Sequence, residues 1–360
     1  MPHAVLTLLV VGRILPFSIE NGGAVLNCAI SLDGKLPISA EARVIDEPKL
    51  ILKSEDLSVY REYTHVSHIL NYDDPSDPLA LHKAAFILTG IIPRNRQLSI
   101  RDVFSKSGNG LELITRVDVP KGSGLGTSSI LAGAVIVCLQ SMFGRELSED
   151  DIFSQVLALE QMLTTGGGWQ DQIGGLVGGV KLIRSSFGVP QVPTYEKVDL
   201  SGDLRERFER QLTLVYTGQR RLAKRILRNI MGDYILRKKE TVSIIRKIKE
   251  IALSMRNAFV EGDLELVGKL MTDHWELNKR LDPSSTNAFI DSIFKVCEPY
   301  VYGGKLCGAG GGGFIEFILR DNVSAEQLNE ALRASFPFGQ VRVWPSQVAY
   351  KALKVVKTAY

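Results

Sequence analysis

The stretch PKGSGLGTSS, at residues 120–129, determines how the rest of the chain is interpreted. Gly122, Gly124 and Gly126 stand at every second position, so the backbone can adopt positive φ and neighbouring N–H groups can point at one anion. Residues 130–139 are apolar on every side and too many for a typical strand, which predicts a buried helix. We therefore expect the stretch at a helix N-terminus, where unpaired N–H groups and the helix dipole favour phosphate.

This stretch differs from the two commonest nucleotide-binding motifs. It lacks the Gly-Lys-Ser/Thr ending of a P-loop, and it is not the Gly-x-Gly-x-x-Gly turn of a βαβ dinucleotide-binding unit. Thr127 and Ser128 supply hydroxyl groups that can contact phosphate or Mg²⁺. A glycine-rich turn in which these two residues only cap the helix is the structural alternative.

The composition excludes several classes of protein. With 45% hydrophobic and 23% charged residues, the chain has the composition of an ordinary globular protein, not of a disordered or membrane protein. A formal net charge of +3 predicts neither a nucleic acid nor a membrane surface as a partner. The four cysteines are widely spaced and form no Cys-x-x-Cys pair, which fits a reduced, cytoplasmic protein. The apolar segment 4–11 is too short to span a bilayer, and we interpret it as a buried strand.

The length of 360 residues predicts two domains, because a single hydrophobic core rarely grows this large. Residues 189–193 contain two prolines and are interpreted as a connector. We place the boundary just after it, which gives an N-terminal domain of residues 1–195 and a C-terminal domain of residues 196–360.

Hydrophobic periodicity predicts a mixture of helices and strands. Residues 24–30 and 42–45 are predicted to form a hairpin, and residues 110–119 a strand that leads into the glycine stretch. Ser148, followed by three acidic residues, predicts the start of a helix that carries Glu160. An α+β pattern is completed by predicted helices at 239–261, 263–279, 286–300 and 325–335, and by predicted strands at 178–183, 212–218 and 341–344.

Three motifs along the chain resemble those of one enzyme family. Gly12-Arg13 lies near the N-terminus, and GAGGGGF at residues 308–314 is a second glycine-rich stretch. With residues 120–129 between them, their order and approximate spacing resemble the GHMP small-molecule kinases, the group of galactokinase, homoserine kinase and mevalonate kinase. The resemblance covers nearly the whole chain. It implies the α+β GHMP kinase fold, with an N-terminal domain similar to ribosomal protein S5 and a ferredoxin-like C-terminal domain.

The segment TTGGGWQDQIGG, at residues 164–175, is most similar to the L-fucokinases of that family. Sugar-heptose kinases of the same branch have a related Gln-Asp-Gln segment. The resemblance implies transfer of the γ-phosphoryl group of ATP to the anomeric hydroxyl of L-fucose, so the expected partners are ATP and a sugar. It implies nucleotide contacts from Lys121, Gly122, Ser123, Gly124, Leu125, Gly126, Thr127, Ser128 and Ser129.

The remaining site residues are assigned by the same resemblance. Ser128 and Glu160 are expected to hold Mg²⁺, Asp171 to accept or orient the proton of the attacking hydroxyl, and Arg13 to stabilise the charge that develops on the phosphoryl group. The expected substrate-binding residues are Gly167, Gly168, Trp169, Gln170, Gly310 and Gly311. Three alternatives stay open: Trp169 as a core residue, Glu160 as an exposed helix carboxylate, and Asp171 as a loop cap.

Two other functions remain possible at this stage. The first motif is shorter than the family pattern, because Arg13 is followed almost directly by LPFSIE. The shortened motif is the reason to keep a non-catalytic nucleotide-binding protein as one alternative function. A heptose or other sugar kinase of the same family is the other alternative. The sequence does not predict an oligomeric state.

Overall fold

The computed structural model describes residues 3–4, 6–8, 15–105, 108–163, 168–200, 202–219 and 224–356. Within these ranges, no helix combines the length and the hydrophobicity that crossing a membrane requires. The strands are β1 (His3–Ala4), β2 (Leu6–Leu8), β3 (Gly23–Leu32), β4 (Ile38–Ile45), β5 (Leu50–Ser54), β6 (Val59–Tyr63), β7 (Gly110–Val117), β8 (Val180–Ser185), β9 (Pro193–Lys197), β10 (Leu212–Tyr216), β11 (Val301–Leu306), β12 (Phe314–Leu319), β13 (Arg342–Trp344), β14 (Ser346–Val348) and β15 (Leu353–Lys354).

The helices are α1 (Leu15–Asn21), α2 (Ala80–Leu88), α3 (Ile100–Val103), α4 (Thr127–Met142), α5 (Glu149–Met162), α6 (Gln170–Leu176), α7 (Asp203–Gln211), α8 (Lys224–Ile235), α9 (Lys239–Glu261), α10 (Leu264–Leu281), α11 (Ala288–Cys297) and α12 (Ala325–Ser335). Helices α9 and α12 begin and end at the residues that the sequence predicted. Helix α6 was not predicted, because its two internal glycines lower its helix propensity.

The described strands form three sheets. The first has the order β15-β1-β4-β7-β5-β6, in which only β5 and β7 run parallel. In the second, β3 pairs with β2, β8 and β14, and β9 extends the sheet beyond β8. The third has the order β11-β12-β10-β13 and is antiparallel. Helix α4 packs on the first sheet, and α9 and α6 pack on the second.

The predicted hairpin between residues 24–30 and 42–45 is wrong. Both segments are strands, β3 and β4, but they belong to different sheets. Near the end of β3, Ile30 pairs with Leu6 of β2 and also with Val348 of β14, so both edges of the strand are occupied. Strand β4 therefore finds its partners in β1 and β7. The tight turn at residues 32–35 exists, but it connects two sheets.

Helix α4 is the buried helix that the sequence predicted. It is apolar all round because β4, α2, α5 and α6 surround it. Gly133 allows the close approach of α6, since an added Cβ would lie 2.6 Å from the Leu176 Cδ1 atom. On the other side of α6, an added Cβ at Gly174 would overlap the Asn27 side chain of β3. The two glycines thus hold α6 between α4 and the second sheet.

The third sheet has its own hydrophobic core, which includes Val215, Trp275 and Phe317. A buried ion pair crosses from β11 to β12, where Lys305 Nζ lies 2.9 Å from Glu316 Oε1. Strands β14 and β15, near the end of the described chain, return to the second and first sheets. The boundary between residues 195 and 196 stays a prediction, and β9, which includes it, pairs with β8.

Candidate functional site

The first glycine loop, residues 120–126, follows β7 and leads directly into α4. Gly122, Gly124 and Gly126 have φ values of +72°, +80° and +71°, a region that glycine occupies without strain. Leu125 is fully buried and anchors the loop in the core. Helix α4 starts at Thr127, so the loop lies at a helix N-terminus, as the sequence predicted. The first turn of this helix has backbone N–H groups without intrahelical acceptors.

The second glycine loop, residues 307–313, packs directly on the first. The N–H of Phe314 donates to the Ser123 carbonyl at 3.1 Å. A Cβ added at Gly124 would lie 2.5 Å from the Cys307 carbonyl oxygen, so neither loop has room for a side chain at the contact. The order of the motifs in the sequence did not reveal this contact, because the two loops are far apart along the chain.

The second glycine loop is also held from two other sides. The N–H of Gly311 donates to the Ser285 carbonyl at 2.5 Å, and the N–H of Gly313 donates to the Gln219 carbonyl at 2.9 Å. These two amides are therefore satisfied by the protein itself. Gly310, a predicted substrate-binding residue, is buried against Ser285. Sequence reasoning missed Ser285, in the short 3-10 helix Pro283–Ser285, and Gln219, because neither belongs to a recognisable motif.

The predicted nucleotide-binding residues differ in exposure. Ser123, Leu125 and Ser129 are buried, Lys121, Gly122 and Ser128 are exposed, and Gly124, Gly126 and Thr127 are intermediate. Lys121, Thr127 and Ser128 line an open groove of about 290 Å³ beside the first glycine loop. Several residues between 72 and 82 also line the groove, among them Asp74, Asp77 and His82. The exposed residues of the stretch can therefore meet a ligand, while the buried ones fix the loop.

Glu160 lies in the last turn of α5, at the N-terminal end of α4. Helix α5 begins after Ser148, as the sequence predicted, with a capping box between Ser148 and Asp151, and it packs on α4. The Ser129 hydroxyl donates a hydrogen bond to Glu160 Oε1, and both residues are buried. The alternative of an exposed helix carboxylate is therefore wrong.

The electrostatics of Glu160 reflect its surroundings. Burial raises the pKa of its carboxyl to about 7, against the opposing effect of the hydrogen bond from Ser129. The negative charge of Asp171 raises the same pKa further. The predicted pairing of Glu160 with Ser128 stays a prediction. The hydrogen bond to Glu160 described above comes from Ser129. Ser128 precedes Ser129 in α4 and lines the groove.

Asp171 is half-buried in the first turn of α6. It is therefore part of a short helix and not of a loop, and the position of this helix is set by the close contacts at Gly133 and Gly174. Glycines inside a helix often mark close packing, so Gly174 was a sequence signal for this tight contact, although the same glycines lower the helix propensity of α6.

The residues on either side of Asp171 are buried. Trp169 is 3% exposed and belongs to the hydrophobic core, where it packs on Gly23. Gln170 and Gln172 are also buried, and the Gln172 amide, oriented to satisfy its hydrogen bonds, donates to the carbonyls of Gly168 and Trp169 at 3.2 Å. These contacts favour the alternative of a core tryptophan and show that Gln172, which was not a predicted site residue, shapes the segment. Arg13 and Gly167 lie outside the described residues.

A divalent cation fits the donor set around Glu160. Two interacting carboxylates and serine hydroxyls are oxygen donors, which Mg²⁺ prefers. Within the described ranges, no group of three or more His, Cys, Asp or Glu residues could hold a metal. Mg²⁺ at this place would therefore complete its shell with water and phosphate oxygens, which is its usual behaviour at nucleotide sites.

Comparison with protein families agrees with this geometry. Residues 96–179 match the GHMP kinases N terminal domain, and residues 255–337 match the GHMP kinases C terminal domain. The chain belongs to the GHMP kinase family. The first match contains the glycine loop, Glu160 and Asp171, and the second contains the second glycine loop.

Two relatives of this GHMP kinase are much longer proteins. It is 37% identical over 326 residues to a bifunctional fucokinase/GDP-fucose pyrophosphorylase of Arabidopsis thaliana. This alignment covers 90% of this chain and 30% of that protein. It is 31% identical over 346 residues to an L-fucokinase/L-fucose-1-P guanylyltransferase of Bacteroides fragilis. The alignment in this case covers 95% of this chain and 36% of that protein. The chain thus spans about a third of the length of these relatives.

The fold prediction is confirmed. The crystal structure of a D-glycero-D-manno-heptose 1-phosphate kinase from Bacteroides thetaiotaomicron superposes with a TM-score of 0.71 and 19% sequence identity. The match covers 99% of each chain. An identity this low shows a common fold, and the mixed helix and sheet architecture is the α+β arrangement that the three sequence motifs implied.

Proposed function

We propose that this GHMP kinase is an ATP-dependent sugar kinase that phosphorylates L-fucose to fucose 1-phosphate. The choice of fucose is supported by the two relatives whose names include fucokinase, and which align with nearly the whole chain. The proposal for phosphoryl transfer is supported by one arrangement above all. It is the buried Glu160, which interacts with Asp171 and is bonded to the first turn of the helix that follows the glycine loop.

The nucleotide is proposed to bind at the start of α4. Its phosphates would accept hydrogen bonds from the N–H groups of the first glycine loop and of the first turn of α4, where the helix dipole favours negative charge. Lys121 would add a positive charge from the rim of the groove. Phosphoryl transfer depends on positioning and on charge stabilisation more than on covalent help from the protein, and an array of fixed amides supplies both.

The proposed cation is Mg²⁺, with Glu160 and Ser128 as its protein ligands. When bound, it would neutralise part of the negative charge on the phosphates. The protein contributes the buried carboxylate of Glu160 and the hydroxyl of Ser128, which lines the groove.

The transfer step is proposed to involve Asp171 directly. The anomeric hydroxyl oxygen of the sugar attacks the γ-phosphorus, and the bond from that phosphorus to the oxygen bridging to the β-phosphate breaks, releasing ADP. The proton of the attacking hydroxyl passes to the Asp171 carboxylate. Arg13 keeps its predicted role of stabilising charge on the transferred group.

The residues next to Asp171 are proposed to shape the sugar site mainly through the backbone. Gly168 and Gln170 flank Trp169, whose burial against Gly23 fixes the segment. Gly167, Gly310 and Gly311 remain predicted substrate-binding residues. A buried tryptophan supplies rigidity here and leaves little ring surface for a sugar.

A substrate panel tests the proposed function. Purified protein is incubated with Mg²⁺-ATP and, separately, with L-fucose, D-arabinose, galactose and a heptose phosphate, and ADP release is measured. We expect the highest kcat/KM with L-fucose. Preference for the heptose phosphate would replace the fucose assignment by a heptose kinase. Binding of Mg²⁺-ATP without turnover on any sugar would favour the non-catalytic alternative.

The site of action is proposed to be the cytoplasm. The four cysteines are buried free thiols in the structure, which is the state expected in a reducing compartment.

A further inference from the structure

Ser129 makes a contact that its place in the sequence did not suggest. The residue is the third of α4, one position beyond the serine predicted to bind the cation, and its hydroxyl donates to Glu160 Oε1. Ser129 is 4% exposed and Glu160 is 6% exposed, so water does not compete for this hydrogen bond.

The hydrogen bond between Ser129 and Glu160 joins α4 to α5 at the proposed cation site. Glu160 is in the last turn of α5, and a glutamate side chain has three rotatable bonds that leave its carboxylate free to move. The bond from Ser129 ties one oxygen of this carboxylate to the start of α4, the same turn that carries Ser128. When the Glu160 carboxyl is ionised, this hydrogen bond is charge-assisted and therefore stronger than one between neutral groups.

We propose that Ser129 is a positioning residue for the cation of this enzyme, acting through Glu160. The proposal depends on the cation site proposed above, but not on the identity of the sugar. Ser129 would not touch the cation. Its hydroxyl holds the Glu160 carboxylate against the first turn of α4, where Glu160 and Ser128 would hold the cation. Removing such a supporting hydrogen bond typically lowers metal affinity or activity about 10- to 100-fold.

A binding experiment without sugar separates this role from a purely structural one. The dissociation constant of ADP is measured by calorimetry with and without Mn²⁺, and the ratio of the two constants reports how strongly metal and nucleotide support each other. In Ser129→Ala we expect this ratio to fall about tenfold, while the metal-free ADP affinity stays within about twofold. Ser129→Thr keeps the hydroxyl and is expected to retain most of the ratio.

The matched control is Ser154→Ala. Ser154 is exposed on α5, and its hydroxyl donates to the Asp151 carbonyl, away from Glu160. This variant loses the same atoms from a serine of the neighbouring helix, and we expect the wild-type ratio. If the alanine variant does not fold, Ser129→Cys takes its place, because a thiol fills nearly the same space but is only a weak hydrogen-bond donor. This variant is also expected to lose most of the ratio.

A double-mutant cycle tests whether Ser129 acts through Glu160. In a Glu160→Gln background the metal effect is already lost, so adding Ser129→Ala is expected to change nothing further. Independent, additive losses would overturn the proposal, as would an unchanged ratio in folded Ser129→Ala. If the wild-type protein shows no effect of Mn²⁺ on ADP binding, the cation site itself is wrong. A failure of the fucose assignment leaves the result intact.

Discussion

The two halves of the candidate site depend on different physics. The main-chain half consists of the two glycine loops, residues 120–126 and 307–313, which touch each other through backbone atoms. The side-chain half consists of Ser129, Glu160 and Asp171, which come from α4, α5 and α6 and interact through hydrogen bonding and charge.

This difference determines what each half tolerates. In the main-chain half, a Cβ added at Gly124, Gly308 or Gly313 would meet backbone atoms of the other loop, so space is the limiting quantity at this contact. In the side-chain half, the groups are held by packing, so an isosteric replacement keeps the fold and removes only the chemistry. Substitutions are thus expected to lower stability in the first half and activity in the second.

The largest effect is expected from Asp171→Asn in the side-chain half. Loss of the carboxylate removes the proposed proton acceptor, so kcat is expected to fall about 1000-fold, within the usual range for a general base. Because Asp171 is not part of the nucleotide contacts, the ADP affinity should stay within about twofold. Sugar-dependent ADP release and calorimetry measure the two quantities.

Asp150→Asn, an exposed change in the first turn of α5, is the control and is expected to leave kcat unchanged. A loss of ADP affinity in Asp171→Asn as large as its loss of kcat would contradict the division into two halves.

The next largest effect is expected from Gly124→Ala in the main-chain half. The new Cβ would lie 2.5 Å from the Cys307 carbonyl oxygen, and the φ of +80° is unfavourable for alanine. We expect a loss of about 3 kcal/mol of unfolding free energy, the sum of overpacking and backbone strain. Urea unfolding measures it.

The control is Gly144→Ala, at the end of α4. Gly144 has a φ of +70°, but nothing lies within 4 Å of an added Cβ. This variant therefore reports backbone strain alone, about 1 kcal/mol. Equal losses in the two variants would show that the contact between the loops does not limit the main-chain half.

Low pH is expected to lower the unfolding free energy of the protein through His82, which lies beside the main-chain half. Backbone amides do not titrate in this range, but His82 lines the groove, and burial lowers its pKa to about 4 from 6.5. The unfolded chain therefore binds a proton between pH 6.5 and 4 while the folded protein does not, so stability is lost as the pH falls through this window. The expected loss is about 3 kcal/mol.

Unfolding free energies at several pH values test this expectation. His82→Gln, which does not titrate, is expected to lose less stability over the same window, whereas His68→Gln, at an exposed histidine, should behave as the wild type. The same acid loss in His82→Gln and the wild type would show that another group is responsible.

The smallest effect is expected from Lys121→Ala. Lys121 is exposed at the rim of the groove, so its proposed contribution to nucleotide binding is that of a solvent-screened charge. We expect the KM for ATP to rise about threefold at low salt, and the difference to shrink at high salt. A large, salt-independent rise in KM would mean that Lys121 makes a buried contact with the phosphates.

Local chemistry explains which predictions succeeded. The helix that begins after Ser148 follows from a capping box, and the loop at residues 120–126 follows from glycines that must adopt positive φ. The hairpin between β3 and β4 failed because a good turn does not choose a strand's partners. Both edges of β3 near Ile30 are taken by strands that are distant in the sequence.

The sequence by itself determined the family, the glycine loop at the start of a buried helix and the two carboxylates of the candidate site, because short motifs and periodicity record these properties locally. Only the tertiary structure decided that the glycine loops touch, that Trp169 is a core residue and that Ser129 bonds Glu160. Each of these depends on the packing of elements far apart along the chain. The direction of a buried side chain is set by its neighbours in space, and no pattern along the chain encodes it.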